Sequence, residues 1–362
     1  MDPQQDRFLE TLTFSSFATD IPILDGHVHV WPGMEPWALW ALLDRAGVRQ
    51  CNAVAITTPH GTLNAEAWAF KAASDGRAYA FGALDYTPHY RGEVMAPRDL
   101  VVQAEALRAR GFDGIKMVEG KTAYYVGLPA RLDGPFFAPF FTWMEREGFP
   151  LLLHVADPPR MWDPARVGLD PWSYASPGYP TREEQYAEVE RVLVRHPRLR
   201  LIVAHLMFLW DDLPAAARFL EAHPSVALDL TPAVEGYFLL SRDPGAAREF
   251  FLAYQDRLIY GTDMGAGPLL DRDHALDPVR EGALSWLVRA TLETDWEVPA
   301  PPDLARLLPF AAGQCLRGLA LPRDVLEKVY FRNFQRWTGE RPAPPWRRSL
   351  TEGKDQEYNG KG

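Results

Sequence analysis

What most limits how this chain can fold is a pattern that recurs along its length. Short β-branched or leucine-rich runs are each followed by a longer amphipathic stretch or a long excursion. The apolar runs fall at 21–30, 51–58, 79–85, 114–118, 150–155, 200–205, 226–230 and 257–263. Helical spacing predicts helices over 35–46, 62–75, 97–110, 136–147, 182–196, 211–222 and 244–256. Strands that alternate with helices form a parallel sheet, because the helix is the crossover that returns the chain to the same end. The runs are apolar on both faces, as strands are when helices cover the sheet. Eight such units predict an α/β fold closed into a (β/α)8 TIM barrel, and 362 residues suit one decorated barrel.

The barrel domain is expected over 20–337, after an N-terminal extension (1–19) and before a polar, proline-rich tail (338–362). LPRDVLEKVYFRNFQRW (321–337) reads as a C-terminal helical extension. His196 and His223 each precede a proline just before a strand, which places them at helix ends on the N-terminal side of the barrel. Long loops at 156–181 and 264–280 follow strands five and eight, at the end where barrels build their sites.

Composition excludes several classes of function. A net charge of −10 is the reverse of a nucleic-acid footprint, so no nucleic-acid partner is expected. The longest greasy stretch, FFAPFFTWM (136–144), is far short of a membrane span. The polar, acidic start of the chain does not resemble a secretory signal, and a cytoplasmic location is expected. Cys51 and Cys315 form no paired motif and read as reduced core thiols. A small-molecule substrate is the expected partner, and a homodimer is the commonest assembly for such a chain.

The chemistry lies at the strand ends. His27 and His29 are two residues apart on the first run, so their side chains share a face and can converge on one ion. His154 ends LLLHV, His205 ends LIVAH and Asp263 ends LIYGTD. Each polar group closes an apolar run, where a buried imidazole or carboxylate is costly unless paired or bound to metal. Nitrogen and oxygen donors of this kind suit one divalent ion, Zn²⁺ first, with Mn²⁺ or Fe²⁺ as alternatives.

The HxH pair with His, His and Asp on later strands resembles the amidohydrolase superfamily. It is most similar to the amidohydrolase-related group of metal-dependent hydrolases and decarboxylases. PILDGHVHV, TREEQ (181–185), HPRLRLIVAHL (196–206), YQDRLIYGTD (254–263) and LPRDVLEKVYFRNFQRW carry the resemblance over 20–337. It implies His27, His29, His154 and Asp263 as metal ligands, and His205 as a catalytic histidine beside the metal rather than on it. It also raises a binuclear alternative, in which a carbamylated lysine on the fourth strand, here Lys116, bridges two metals. The reading prefers one metal, with Lys116 meeting an anionic substrate or a carboxylate. His60, after the second strand, is a candidate substrate contact. Asp25 is a candidate partner behind the imidazoles. Trp31, Trp162, Trp172 and Tyr174 are candidate walls for an apolar substrate.

The first functional expectation is hydrolysis of a C–N or C–O bond of amide or lactone type. The metal acidifies water, Asp263 takes its proton and His205 polarises the carbonyl. The alternative is non-oxidative decarboxylation of an aromatic or unsaturated acid at the same metal. The third reading is no enzyme at all but a barrel that keeps a metal for structure or binds a ligand; the lack of cysteine ligands and the long loops at the barrel rim argue against it.

Overall fold

The computed structural model describes residues 17–18, 20–128, 130–167, 173–232, 235–266, 276–300, 304–305 and 311–343. Eight strands form one parallel sheet in chain order. They are β1 (Ile23–His29), β2 (Val48–Val54), β3 (Ala78–Gly82), β4 (Gly114–Gly120), β5 (Leu151–Val155), β6 (Leu201–Val203), β7 (Val226–Asp229) and β8 (Leu258–Ile259). The helices between and after them are α1 (Pro36–Arg45), α2 (Asn64–Ala72), α3 (Pro97–Arg110), α4 (Ala138–Glu147), α5 (Arg182–Arg195), α6 (Leu213–Ala222), α7 (Pro244–Ala253) and α8 (Pro278–Glu293). One helix therefore follows each strand, as the sequence pattern predicts for a TIM barrel.

The ring closes between β8 and β1. Val28 bridges Met264 in parallel, and main-chain bonds run from Gly26 to Tyr260, from Asp263 to His27 and from His29 to Met264. Gly26 allows this close approach: a Cβ there would lie 2.9 Å from Ile259 and 3.0 Å from Phe334. Asp25 pins the same seam. Its carboxylate accepts from the main chain of His27 and Thr262 and from the Thr262 hydroxyl.

Outside the sheet, the large core packs helices onto strands. Inside it, Leu24, Tyr79, Phe81, Leu152, Ile202, Ala227 and Ile259 fill the barrel. A final helix, α9 (323–338), carries a π-turn at Lys328–Arg332 and plugs the N-terminal end with Phe334 and Trp337. Asn333 ties it to the carbonyls of Gln255 and Leu258, each at 2.7 Å. This is the expected C-terminal extension, and its packing leaves only the opposite end of the barrel open.

Some boundaries differ from the sequence reading, and each difference has a cause. β6 stops at Val203 because residues 205–208 turn left-handed, with φ between 51° and 59°. After β8, residues 260–264 continue along β1 through separate main-chain bonds rather than a regular ladder. β2 ends at Val54, and its continuation becomes a small antiparallel ribbon, Thr57–Thr58 with Gly61–Thr62. The stretch expected as loop up to 280 gives way at Pro278 to α8, a helix buried along most of its length. That all-round burial removes the amphipathic period that would have flagged it. His196 and His223 are the C-caps of α5 and α6, as expected. Among the described residues, no helix is long and apolar enough to cross a membrane.

Candidate metal centre and substrate cavity

The C-terminal ends of the strands surround a cavity of about 300 Å³. His29, Lys116, His154, His205 and Asp263 all reach it. The barrel thus gathers residues from β1, β4, β5, β6 and β8 on one rim.

The tightest cluster is at the β8–β1 seam. Ligand atoms of His27, His29 and Asp263 lie within 4.8 Å of one another. Nε2 of His29 is 3.0 Å from Oδ1 of Asp263, and Nε2 of His27 is 3.5 Å from it. The orientation of His27 is fixed from behind: Nδ1 is 2.9 Å from Oδ2 of Asp229. Burial pushes the Asp229 carboxyl up, but the charge and hydrogen bond of His27 outweigh this and hold it down at about 2. An ionised acceptor behind Nδ1 keeps the proton there, so Nε2 offers its lone pair to the centre. Asp229 also accepts from the main chain of His205 at 2.7 Å and of Thr231 at 3.1 Å. One carboxylate therefore orients residues on β1 and β6 together.

This donor set suits a divalent ion. Three nitrogen and oxygen ligands with room beside them is the pattern of catalytic rather than structural sites. Nδ1 of His29 and Nδ1 of His205 are buried without a hydrogen-bond partner among the described residues. Buried polar atoms are rarely left so unless a ligand or ion completes them.

Electrostatics points the same way. Burial lowers His29 to about 4 against the pull of Asp263, and it lowers His154 to about 4, aided by Lys121. Burial drives His205 well below the ordinary histidine range. Burial raises Asp263, but the hydrogen bond and charge of His29, with His27 and His205, hold it well below the usual carboxylate range. Near neutral pH the imidazoles of His29, His154 and His205 are therefore neutral, while Asp263 is ionised.

The other sequence candidates separate. His154 lies against His205, ring centroids 4.8 Å apart, but its Nε2 is 2.9 Å from the carbonyl of Ala156 and 3.5 Å from Asp157. A carbonyl only accepts, so Nε2 carries the proton and Nδ1 is the nitrogen left to act as a ligand or base. Gly120 makes room for that strand pair, since a Cβ there would meet the His154 carbonyl oxygen at 2.2 Å. Lys116 stands on the floor with Nζ 3.0 Å from Nε2 of His27, and burial lowers it to about 8. Asp25 bonds main chain rather than an imidazole; the carboxylate behind His27 is Asp229. His60 is exposed at the tip of the ribbon after β2 and does not line the cavity.

The walls are not the expected tryptophans. Ile56, Val118, Tyr124, Met161, Phe208 and Pro232 form them. Trp162 packs on Tyr174, ring centroids 5.2 Å apart, and Trp31 lies over Gly265. Trp172 lies outside the described residues.

Sequence reasoning also missed Asp229, although VALDL closes an apolar run with a carboxylate just as LIYGTD does. Phe208, which stacks on His205 with centroids 4.9 Å apart, carries no sequence signal of its own.

The comparisons agree with this architecture. No curated protein matches the chain. Among solved structures, it is similar to an uncharacterised TIM-barrel protein from Bordetella bronchiseptica, at 16% identity and TM-score 0.52, covering 87% of this chain and 98% of that one. It is similar to 2,6-dihydroxybenzoate decarboxylase from Rhizobium, at 14% identity and TM-score 0.51, over 88% and 98%. It is also similar to 5-carboxyvanillate decarboxylase from Sphingomonas paucimobilis, at 14% identity and TM-score 0.50, over 88% and 99%. At these identities the likeness is one of fold. A family model described as amidohydrolase matches residues 24–339, nearly the whole chain, and on that ground the protein belongs to the amidohydrolase family.

Proposed function

We propose that the protein is a metal-dependent hydrolase acting on an amide- or lactone-type C–N or C–O bond. His27, His29 and Asp263 hold a single divalent ion, with His154 able to join through Nδ1. A divalent ion, Zn²⁺ first and Mn²⁺ or Fe²⁺ next, supplies Lewis acidity and brings the pKa of water to about 7.

The observation that carries the proposal is the position of Asp263 against His27 and His29 at the seam. Its Oδ1 lies 3.0 Å from Nε2 of His29 and 3.5 Å from Nε2 of His27, and against the effect of burial the hydrogen bond and charge of His29 favour its ionised form. Such a carboxylate is a base ready to take a proton from water and pass it to a leaving nitrogen or oxygen. His205, neutral and stacked on Phe208, can offer an N–H to the carbonyl oxygen as charge builds there. The apolar walls keep bulk water away and strengthen both interactions.

Decarboxylation of an aromatic or unsaturated acid is the second reading. It is favoured by the apolar cavity, by the floor cation Lys116 and by the decarboxylase names among the structural neighbours. It requires a proton donor towards carbon, and an ionised Asp263 beside neutral histidines supplies that less directly.

The test is metal content per chain in wild type and Asp263→Ala, followed by a panel of amides, lactones and aromatic acids. About one ion per chain, loosened in the variant, with turnover of an amide or lactone, is the expected result. Release of CO₂ from an acid in the panel moves the assignment to the second reading. About two ions promotes Lys116 to a bridging ligand. No ion after reconstitution sinks both readings.

A further inference from the structure

Phe208 stands where the backbone disfavours a side chain. It is the last of four residues, His205 to Phe208, with φ between 51° and 59°. A Cβ is crowded in that region, and glycine relieves the crowding. The turn is held through its main chain. Asp229 accepts from the His205 amide at 2.7 Å, Tyr186 donates to the Met207 carbonyl at 2.7 Å, and Arg182 donates to the Phe208 carbonyl at 3.0 Å. None of these bonds uses the Phe208 ring, so the turn does not need a ring at this position.

The ring faces the cavity and forms part of its wall. It stacks on His205, centroids 4.9 Å apart and planes at 23°, and its centroid is 5.4 Å from that of His154. His205 in turn lies 5.6 Å from the His27 ring, so Phe208 ends a row of rings that begins at the seam. The ring therefore bounds the cavity beside the imidazoles of β5 and β6. At about 300 Å³ the cavity is at the low end of the range for ligand sites, so one wall ring decides much of what fits.

We infer that Phe208 is a specificity-determining residue: its ring closes the cavity on the β5–β6 side and excludes ligands that carry a second fused ring. This deepens the proposed function and rests on the cavity being where the substrate reacts. A side chain kept at a left-handed position, in a turn that other groups hold, is accounted for by what it faces. Removing the ring opens apolar space next to His154 and His205, and an apolar space of roughly 150 Å³ is enough to take benzene.

The test is calorimetric binding of two probes, phenol and 2-naphthol, to the full chain in wild type, Phe208→Gly and Phe208→Leu. The probes differ by one fused ring. Neither is charged at neutral pH or carries a bond to hydrolyse, so binding is read apart from turnover. 2-Naphthol has the larger apolar area and binds more tightly wherever both fit. Wild type is expected to reverse that order and hold phenol at least about tenfold more tightly, and Phe208→Gly is expected to bring 2-naphthol ahead. Equal or tighter binding of 2-naphthol to wild type, a ratio unchanged in Phe208→Gly, or no binding of either probe to any of the three proteins overturns the inference: Phe208 is then packing alone. If Phe208→Gly does not fold, Phe208→Leu decides by the same ratio, which is expected to fall at least about threefold. Size selection in a protein that turns over no amide, lactone or acid supports this inference while sinking the reaction proposed above.

Discussion

Replacing Asp229 with asparagine tests how the seam cluster is organised. The side chain keeps its shape but loses its charge and one acceptor. Its oxygen can still accept from the main chain of His205 and Thr231, which fixes the amide with its NH₂ towards His27 Nδ1. Two donors then face each other at 2.9 Å, and His27 must move its proton to Nε2 or turn away. Either change removes the lone pair offered to the centre. Losing a charge-assisted hydrogen bond of this kind costs about 1.5–3 kcal/mol. Outer-shell substitutions at metal sites typically lower affinity about 10–100-fold, which is about 1.4–2.7 kcal/mol, so the two scales agree. The assay is competition for Zn²⁺ or Mn²⁺ against a chromophoric chelator, with urea unfolding alongside. Asp25→Asn is the control. Asp25 is as buried as Asp229 but bonds main chain and Thr262, so its loss is expected to lower stability and leave metal affinity within about threefold. If Asp229→Asn binds metal as tightly as wild type, the carboxylate does not set the His27 tautomer, and the account of the cluster is wrong.

Two further predictions probe what surrounds the site. Tyr186→Phe removes the hydroxyl that donates to the Met207 carbonyl at 2.7 Å within the left-handed turn, and is expected to cost about 1 kcal/mol in urea unfolding; a loss below a few tenths shows that the turn does not need this brace. Glu119 is raised by burial from 4.5 to about 7, so its folded state favours the protonated form. Ionising it weakens the fold as pH rises from about 4.5 through 7, and below that window no penalty applies. Glu119→Gln is therefore expected to gain stability relative to wild type at pH 8.5, by up to about 3 kcal/mol, with a smaller difference at pH 5. A difference independent of pH refutes the shifted titration.

The fold was legible because both of its periods are strong. Apolar runs separated by amphipathic stretches admit few architectures besides a barrel, and α9 was visible as one continuous helical segment. The rim histidines and Asp263 were legible for a related reason: a polar residue closing an apolar run has nowhere to go but the strand's end. What the sequence hid was direction. Strand spacing places His154 at the rim but does not say that its Nε2 turns to the Ala156 carbonyl. Asp25 and Asp229 both close or open apolar runs, and only the tertiary fold decides which lies behind His27. The loop tryptophans looked like walls because they were large and near the rim, yet Phe208, Met161 and Val118 take that role from turns and strand ends without any special pattern.

The distribution of backbone strain connects the fold to the chemistry. The described residues with positive φ other than glycine include Ala156, just after β5, His205 to Phe208, just after β6, and Asp263, just after β8. Left-handed conformation costs an ordinary residue about 1–2 kcal/mol, so the run 205–208 alone stores about 4–8 kcal/mol. That is comparable with the whole stability of a typical domain. It persists because the surroundings over-determine it: Asp229 holds the His205 amide, while Tyr186 and Arg182 hold the carbonyls of Met207 and Phe208. The opposite end of the barrel shows the reverse character, with Phe334 and Trp337 packed among apolar side chains and Asn333 fully engaged with main chain. A chain selected for stability alone would end its sixth strand in a relaxed turn. Here the strained backbone turns His205 and Asp263 towards the same cavity as His29, and Nδ1 of His29 and of His205 stand buried without partners among the described residues. Strain and unmet hydrogen bonds meet around one cavity, at the C-terminal ends of the strands, where a metal and a substrate would supply the missing contacts.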